Sequence, residues 1–151
     1  MSVVPQTALV ECLRGLLDLD AVNALKCALI QSSYTPNPGH AFMSSLTASE
    51  CTATGYAGGF SGAGRKFLAG VTIAADAALN RAVVDATDPT PWVALGGAVN
   101  NTLGYLAVYA PGTTDANSRV VAVLTFASTL ATNSGDVAVQ FAAAGLFYTQ
   151  H

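Results

Sequence analysis

A chain of 151 residues is long enough for one domain with a core of its own. Hydrophobic residues make up 52% and charged residues 10%, where a soluble domain usually carries about 25% charge. Nine acids against six bases leave a net charge of -3, which excludes the basic footprint of a nucleic-acid binder and a polybasic membrane patch. A surface this poor in charge suits either a protein in contact with other proteins or an exterior of Ser, Thr, Asn and Gly.

Taken in chain order, Met1–Gln6 reads as a short arm, followed by a single domain over 7–151. Thr7 is in position to cap a helix running to about Leu17, with Leu9, Leu13, Leu16 and Leu17 as a stripe packed against the domain. The N-terminus lacks a basic n-region, and Glu11 and Arg14 interrupt its apolar run, so it does not read as a signal peptide. Ala24–Ser32 is the first expected strand, and His40–Leu46 one helical turn with Phe42, Met43 and Leu46 inward. Thr47–Gly64 is a long Gly- and Ser-rich connection; such a loop in a compact domain is usually functional or pinned by neighbours. Arg65–Ala75 and Asn80–Ala86 read as strands around a turn at Asp76–Leu79. Asp88–Pro91 is a rigid link, Trp92–Leu95 a short strand and Gly96–Thr102 a loop. Leu103–Ala110 and Arg119–Phe126 form a hairpin about the polar turn Pro111–Ser118. Neither strand of this hairpin has a polar face, so each is covered on both sides by its own chain or by another subunit. A turn over Thr129–Asp136 leads to a strand at Val137–Ala142 and a last one at Leu146–Thr149. The pattern predicts a mainly β fold, an antiparallel β-sandwich of jelly-roll or Ig-like type with a short N-terminal helix.

No catalytic constellation emerges. Gly59 and Gly64 have the separation of a phosphate cradle, but Arg65 stands where Lys is needed and Phe67 where Ser or Thr would bind magnesium. Asp76, Asp85 and Asp88 cluster locally but lie in or beside turns, where Asp bonds the neighbouring backbone. His40 and His151 have no nucleophile context. Cys12, Cys27 and Cys51 lack metal-ligand spacing and read as reduced thiols. The five tyrosines are not interleaved with basic residues, so they form no stacking platform. The reading is a non-enzyme with no cofactor and no metal site.

The order of features carries a resemblance. Ala24-Leu-Lys-Cys-Ala-Leu-Ile-Gln-Ser-Ser-Tyr-Thr-Pro36 is followed by His40, by Gly55-Tyr56-Ala-Gly58-Gly59, by Ala82-Val-Val-Asp85-Ala-Thr-Asp88 and by Trp92. This series resembles a family of small tailed-phage virion structural proteins, over about Ala24 to Thr149. The inserted Gly-rich segment and the very low charge depart from the family pattern. The resemblance implies a capsid cement or decoration protein of the bacteriophage virion. Such a protein would sit on the capsid surface as a homo-oligomer, a trimer or dimer, and bridge neighbouring major capsid subunits. The alternative is a tail- or fibre-associated module that binds a host surface. The arm and the Gly-rich loop are the expected contact segments, with Met1, Ser2, Val3, Val4, Pro5, Tyr56 and Phe60 as candidate interface residues.

Overall fold

The structure is a computed structural model that describes residues 3–21 and 23–150, Thr149 and Gln150 by backbone only. Among the described residues it is mainly β, with one α-helix, α1 (Gln6–Leu13), and nine strands. These are β1 (Lys26–Gln31), β2 (Lys66–Phe67), β3 (Thr72–Asp76), β4 (Arg81–Asp85), β5 (Trp92–Leu95), β6 (Thr102–Ala110), β7 (Arg119–Ala131), β8 (Gly135–Val137) and β9 (Phe147–Gln150). All pairings are antiparallel, in the orders β2-β1-β6-β7, β3-β4-β9 and β5-β8. These orders establish packed antiparallel layers, and they do not establish a jelly-roll or Ig-like connectivity.

Over most of β6 and over Val120–Val123 of β7, the β6–β7 hairpin is covered on both faces by its own chain. On one side Leu103, Leu106, Val108, Val121 and Ala122 pack with Trp92, Val84 and Phe147 from the other two sheets and with Leu146 just before β9. On the other side Ala107, Tyr109, Val120 and Val123 pack with Tyr34, Met43 and Leu46. The alternation expected along β6 breaks at Gly104. The pairing slips between Leu103 and Tyr105, so Leu103 joins Leu106 and Val108 instead of Tyr105. A Cβ at Gly104 would lie 2.8 Å from the Ser32 Cα, so this bulge requires glycine. A second slip, between Val108 and Tyr109, turns Val121 and Ala122 to the same core.

Several boundaries differ from expectation. The helix stops at Leu13 because Gly15 takes a left-handed conformation, φ 69°. There the Gly15 N–H donates to the Cys12 carbonyl and the Leu16 N–H to the Glu11 carbonyl, closing the helix in a Schellman motif. Thr7 lies within the helix rather than capping it; the extended residue before it is Pro5. Leu13 and Leu16 consequently face outward, and the inward face is Ala8 with Cys12 and Leu17. The stretch Arg65–Ala75 is not one strand. Leu68 through Val71 interrupts it, with Gly70 at φ 60°, leaving β2 and β3 in different sheets. β7 runs on through Thr129–Ala131, where a turn was expected. The expected strand Val137–Ala142 ends at Val137, and 138–142 continues as irregular chain. The helical turn near His40 is a pair of 3-10 turns, Met43–Ser45 and Thr47–Ser49, with Met43 and Leu46 fully buried.

Candidate functional site

The most concentrated charge in the protein sits at the end of the Gly-rich loop. Glu50 follows the second 3-10 turn, Arg65 precedes β2, and Asp115 lies in the β6–β7 turn. Arg65 donates from Nε to Glu50 Oε1 and from Nη2 to Glu50 Oε2, both at 2.7 Å. Its Nη1 and Nη2 also donate to the two oxygens of Asp115. Glu50 Oε1 further accepts from the Tyr56 hydroxyl at 3.1 Å, and Oε2 accepts from the Gly59 N–H at 3.1 Å. The Tyr56 oxygen accepts in turn from the Leu29 N–H of β1. Burial disfavours the Arg65 charge, but the two carboxylates outweigh it and hold the guanidinium above its ordinary pKa. Burial, with the Glu50 carboxylate second, pushes the Tyr56 phenol far up.

This network is closed. The Arg65 side chain has 0% exposure and Glu50 has 5%. A phosphate would have to displace two carboxylates from a buried cation, so the cluster is a tie among three loops, and the cradle reading fails on occupancy as well as on sequence. The Gly-rich loop is therefore pinned. At Gly64 a Cβ would lie 2.7 Å from the Tyr56 ring, and the Gly64 carbonyl accepts from Trp92 Nε1 at 2.6 Å.

The expected interface residues divide. Tyr56 is 8% exposed and committed to Glu50, so it is not available as a contact. Val3 pairs with Val123 on the outer edge of β7, its N–H and carbonyl both engaged; Val4 packs on the core and Pro5 is buried. The described part of the arm is thus a covering segment of its own domain. Met1 and Ser2, like His151, lie outside the described residues. Phe60 keeps 36% exposure at the loop tip.

Asp76 and Asp85 serve the local backbone as expected, whereas Asp88 reaches the Phe141 N–H, 53 positions on. Asp76 accepts from Arg81 Nε at 2.9 Å and from the Leu79 N–H at 3.2 Å; the Arg81 bond holds its carboxyl below the usual range. Asp85 accepts from the Ala86 N–H and Asp88 from the Phe141 N–H. His40 Nδ1 shares a 2.8 Å hydrogen bond with the Tyr34 hydroxyl. The cysteines are unpaired, and burial pushes the Cys27 thiol up to about 12. Among the described residues no group of three or more His, Cys, Asp or Glu is placed to hold a metal.

Two accessible features are apolar. The outer side of α1 and its C-terminal turn expose Val10 (44%), Leu13 (88%) and Leu16 (69%). A groove of about 450 Å³ runs between β7 and the irregular segment 138–146, walled by Leu106, Leu124, Phe126, Val139, Phe141 and Leu146 with no charged residue in its lining. The helix spacing that placed Leu13 and Leu16 inward could not reveal this outer side; Gly15, a residue that favours the left-handed helix stop, was the signal passed over.

The fold defines a class, a mainly β antiparallel protein with one short helix. No protein-family model, no curated protein and no solved structure matches the chain. No helix among the described residues is long and apolar enough to cross a membrane.

Proposed function

We propose that this chain is a phage virion structural protein, a capsid cement or decoration protein that bridges neighbouring major capsid subunits on the capsid surface. The observation that carries the reading is the exposed apolar run Val10, Leu13 and Leu16, held outward by the Gly15 helix stop. Side chains of this kind, grouped on a surface with few charges, mark a protein-contact site. Burying one Leu is worth about 1.5–3 kcal/mol before association costs. Many copies engaging one lattice multiply such weak contacts. Glu50 and Asp115 are tied to Arg65, Asp76 to Arg81, and Asp88 to the Phe141 N–H.

The test is add-back of purified protein to phage particles assembled without it. Wild type should decorate the shell, and Leu13→Lys with Leu16→Lys should lose occupancy while keeping its circular dichroism spectrum. Particles that take up no wild-type protein refute the reading. Binding to host cells or to a glycan array instead would assign the chain to a tail- or fibre-associated module.

A further inference from the structure

We propose that β3 is a self-association edge, at which two copies of this chain pair antiparallel about Ala74 and join their β3-β4-β9 sheets into one. β3 stands at the end of its sheet, bonded to β4 alone. Of its residues Thr72–Ala75 are exposed and Asp76 is half-buried. Native edge strands are ordinarily blunted by Lys, Pro, a bulge, brevity or a covering segment. β3 reads Thr-Ile-Ala-Ala-Asp, without Lys or Pro, and its five registered pairs with β4 run without a slip. The end strands of the large sheet are short on one side and covered in part on the other. β2 there is two residues long and carries Lys66, and the β7 edge is covered where Val3 bridges Val123.

The occupant is a second copy because the strand is complementary to itself. A two-fold axis at Ala74 sets Thr72 against Asp76 of the second copy, Ile73 against its Ala75, and Ala74 against its Ala74. Asp76 is already neutralised by Arg81, so it meets a hydroxyl rather than a like charge. A parallel in-register pairing would place Asp76 beside Asp76. The side-chain rows match as well. Phe147, Val84 and Ile73 lie in one row across the sheet; the first two are buried and Ile73 is 49% exposed. In the dimer the row continues into Ala75 and Ala82 of the second copy, two small residues that make room for each isoleucine. An isologous contact consumes each edge once and closes as a dimer.

Sedimentation equilibrium of the full chain, from micromolar to millimolar concentration, should show a reversible monomer–dimer equilibrium. Ile73→Lys should raise the dimer dissociation constant about tenfold or more, with an unchanged melting curve at concentrations where both proteins are monomeric. In a Cys12→Ser background, mild oxidation should cross-link Ala74→Cys into dimers, since directly opposed strand residues lie within disulfide reach. Leu79→Cys, in the hairpin turn away from the axis, should not cross-link under the same oxidation. A wild type that is monomeric throughout overturns the proposal. So does a dimer whose affinity survives Ile73→Lys, or cross-linking of Leu79→Cys as fast as Ala74→Cys. None of these readouts involves a particle, so the outcome is separate from that of the add-back test.

Discussion

Arg65 and Glu50, fifteen positions apart, meet as a bidentate ion pair of two 2.7 Å bonds in an interior that excludes water from the guanidinium. Arg suits this site because its planar fork matches a carboxylate and still has donors for Asp115. Replacing Arg65 by Met would leave Glu50 buried without a cation. Loss of one partner of a buried pair typically costs about 3–5 kcal/mol, so Arg65→Met should reduce urea stability by that order. Adding Glu50→Gln to it should recover part of the loss, and both follow from equilibrium urea unfolding.

Gly104→Ala and Gly64→Ala test two different close approaches. At Gly104 the obstacle is the Ser32 backbone at 2.8 Å, which cannot move without the β1–β6 pairing; at Gly64 it is mainly the Tyr56 ring at 2.7 Å. Overpacking costs about 1–3 kcal/mol. Gly104→Ala should sit at or above the upper end and Gly64→Ala below it, as read from thermal melts.

Cys27 and Tyr109 make the protein sensitive to alkali. Burial raises both groups to about 12, with Arg65 partly opposing it at Tyr109. A folded pKa above the unfolded one means that the contribution is whole below the unfolded value. For the thiol that value is about 8.5 and for the phenol about 10, and the contribution drains away as pH climbs toward the folded values. Urea stability should therefore fall from about pH 9 upward, with a shallower slope in Cys27→Ala. At neutral pH, Cys27 should be alkylated only as fast as the domain opens.

Leu13→Lys with Leu16→Lys should leave the folding free energy within about 0.5 kcal/mol of wild type, because neither side chain is packed. If the leucine stripe lay against the domain, each change would cost several-fold more. A urea melt of the double variant decides between the two.

Ala94 holds a left-handed backbone, φ 51°, at the irregular point of β5, where its N–H donates to Asp136 Oδ1 at 2.9 Å. That conformation costs a residue with a Cβ about 1–2 kcal/mol, offset in part by the greater unfolded freedom of glycine. Ala94→Gly should be neutral to about 1 kcal/mol stabilising and Ala94→Val clearly destabilising, both by melting temperature.

The hairpin about Pro111–Ser118 was legible because local chemistry and pattern agree there. Val, Leu and Tyr fill two strands, and Ser118, Asn117 and Thr114 close the turn through their own side chains. The β3–β4 hairpin, the buried Trp92 and the local roles of Asp76 and Asp85 were legible for the same reason, whereas the long-range bond of Asp88 to Phe141 was not. The ion network was not. Glu50 and Asp115 are 65 positions apart in the chain, and no local pattern marks an acid that will be buried. Nor was the fate of the arm legible, because Val3 finds Val123 only after β7 has formed an edge.

Composition and alternation determined by themselves that this chain is mainly β, antiparallel and poor in charge, since those properties follow from side-chain type and a period of two. Only tertiary structure decided what covers the central strands, and the answer is the chain's own loops and smaller sheets. It also decided which apolar residues stay outside, through the stop at Gly15, and which sheet each strand joins, through the break between β2 and β3. The reason is physical. A two-residue period says that a strand is wetted or covered, whereas the identity of the cover depends on contacts between residues far apart in sequence.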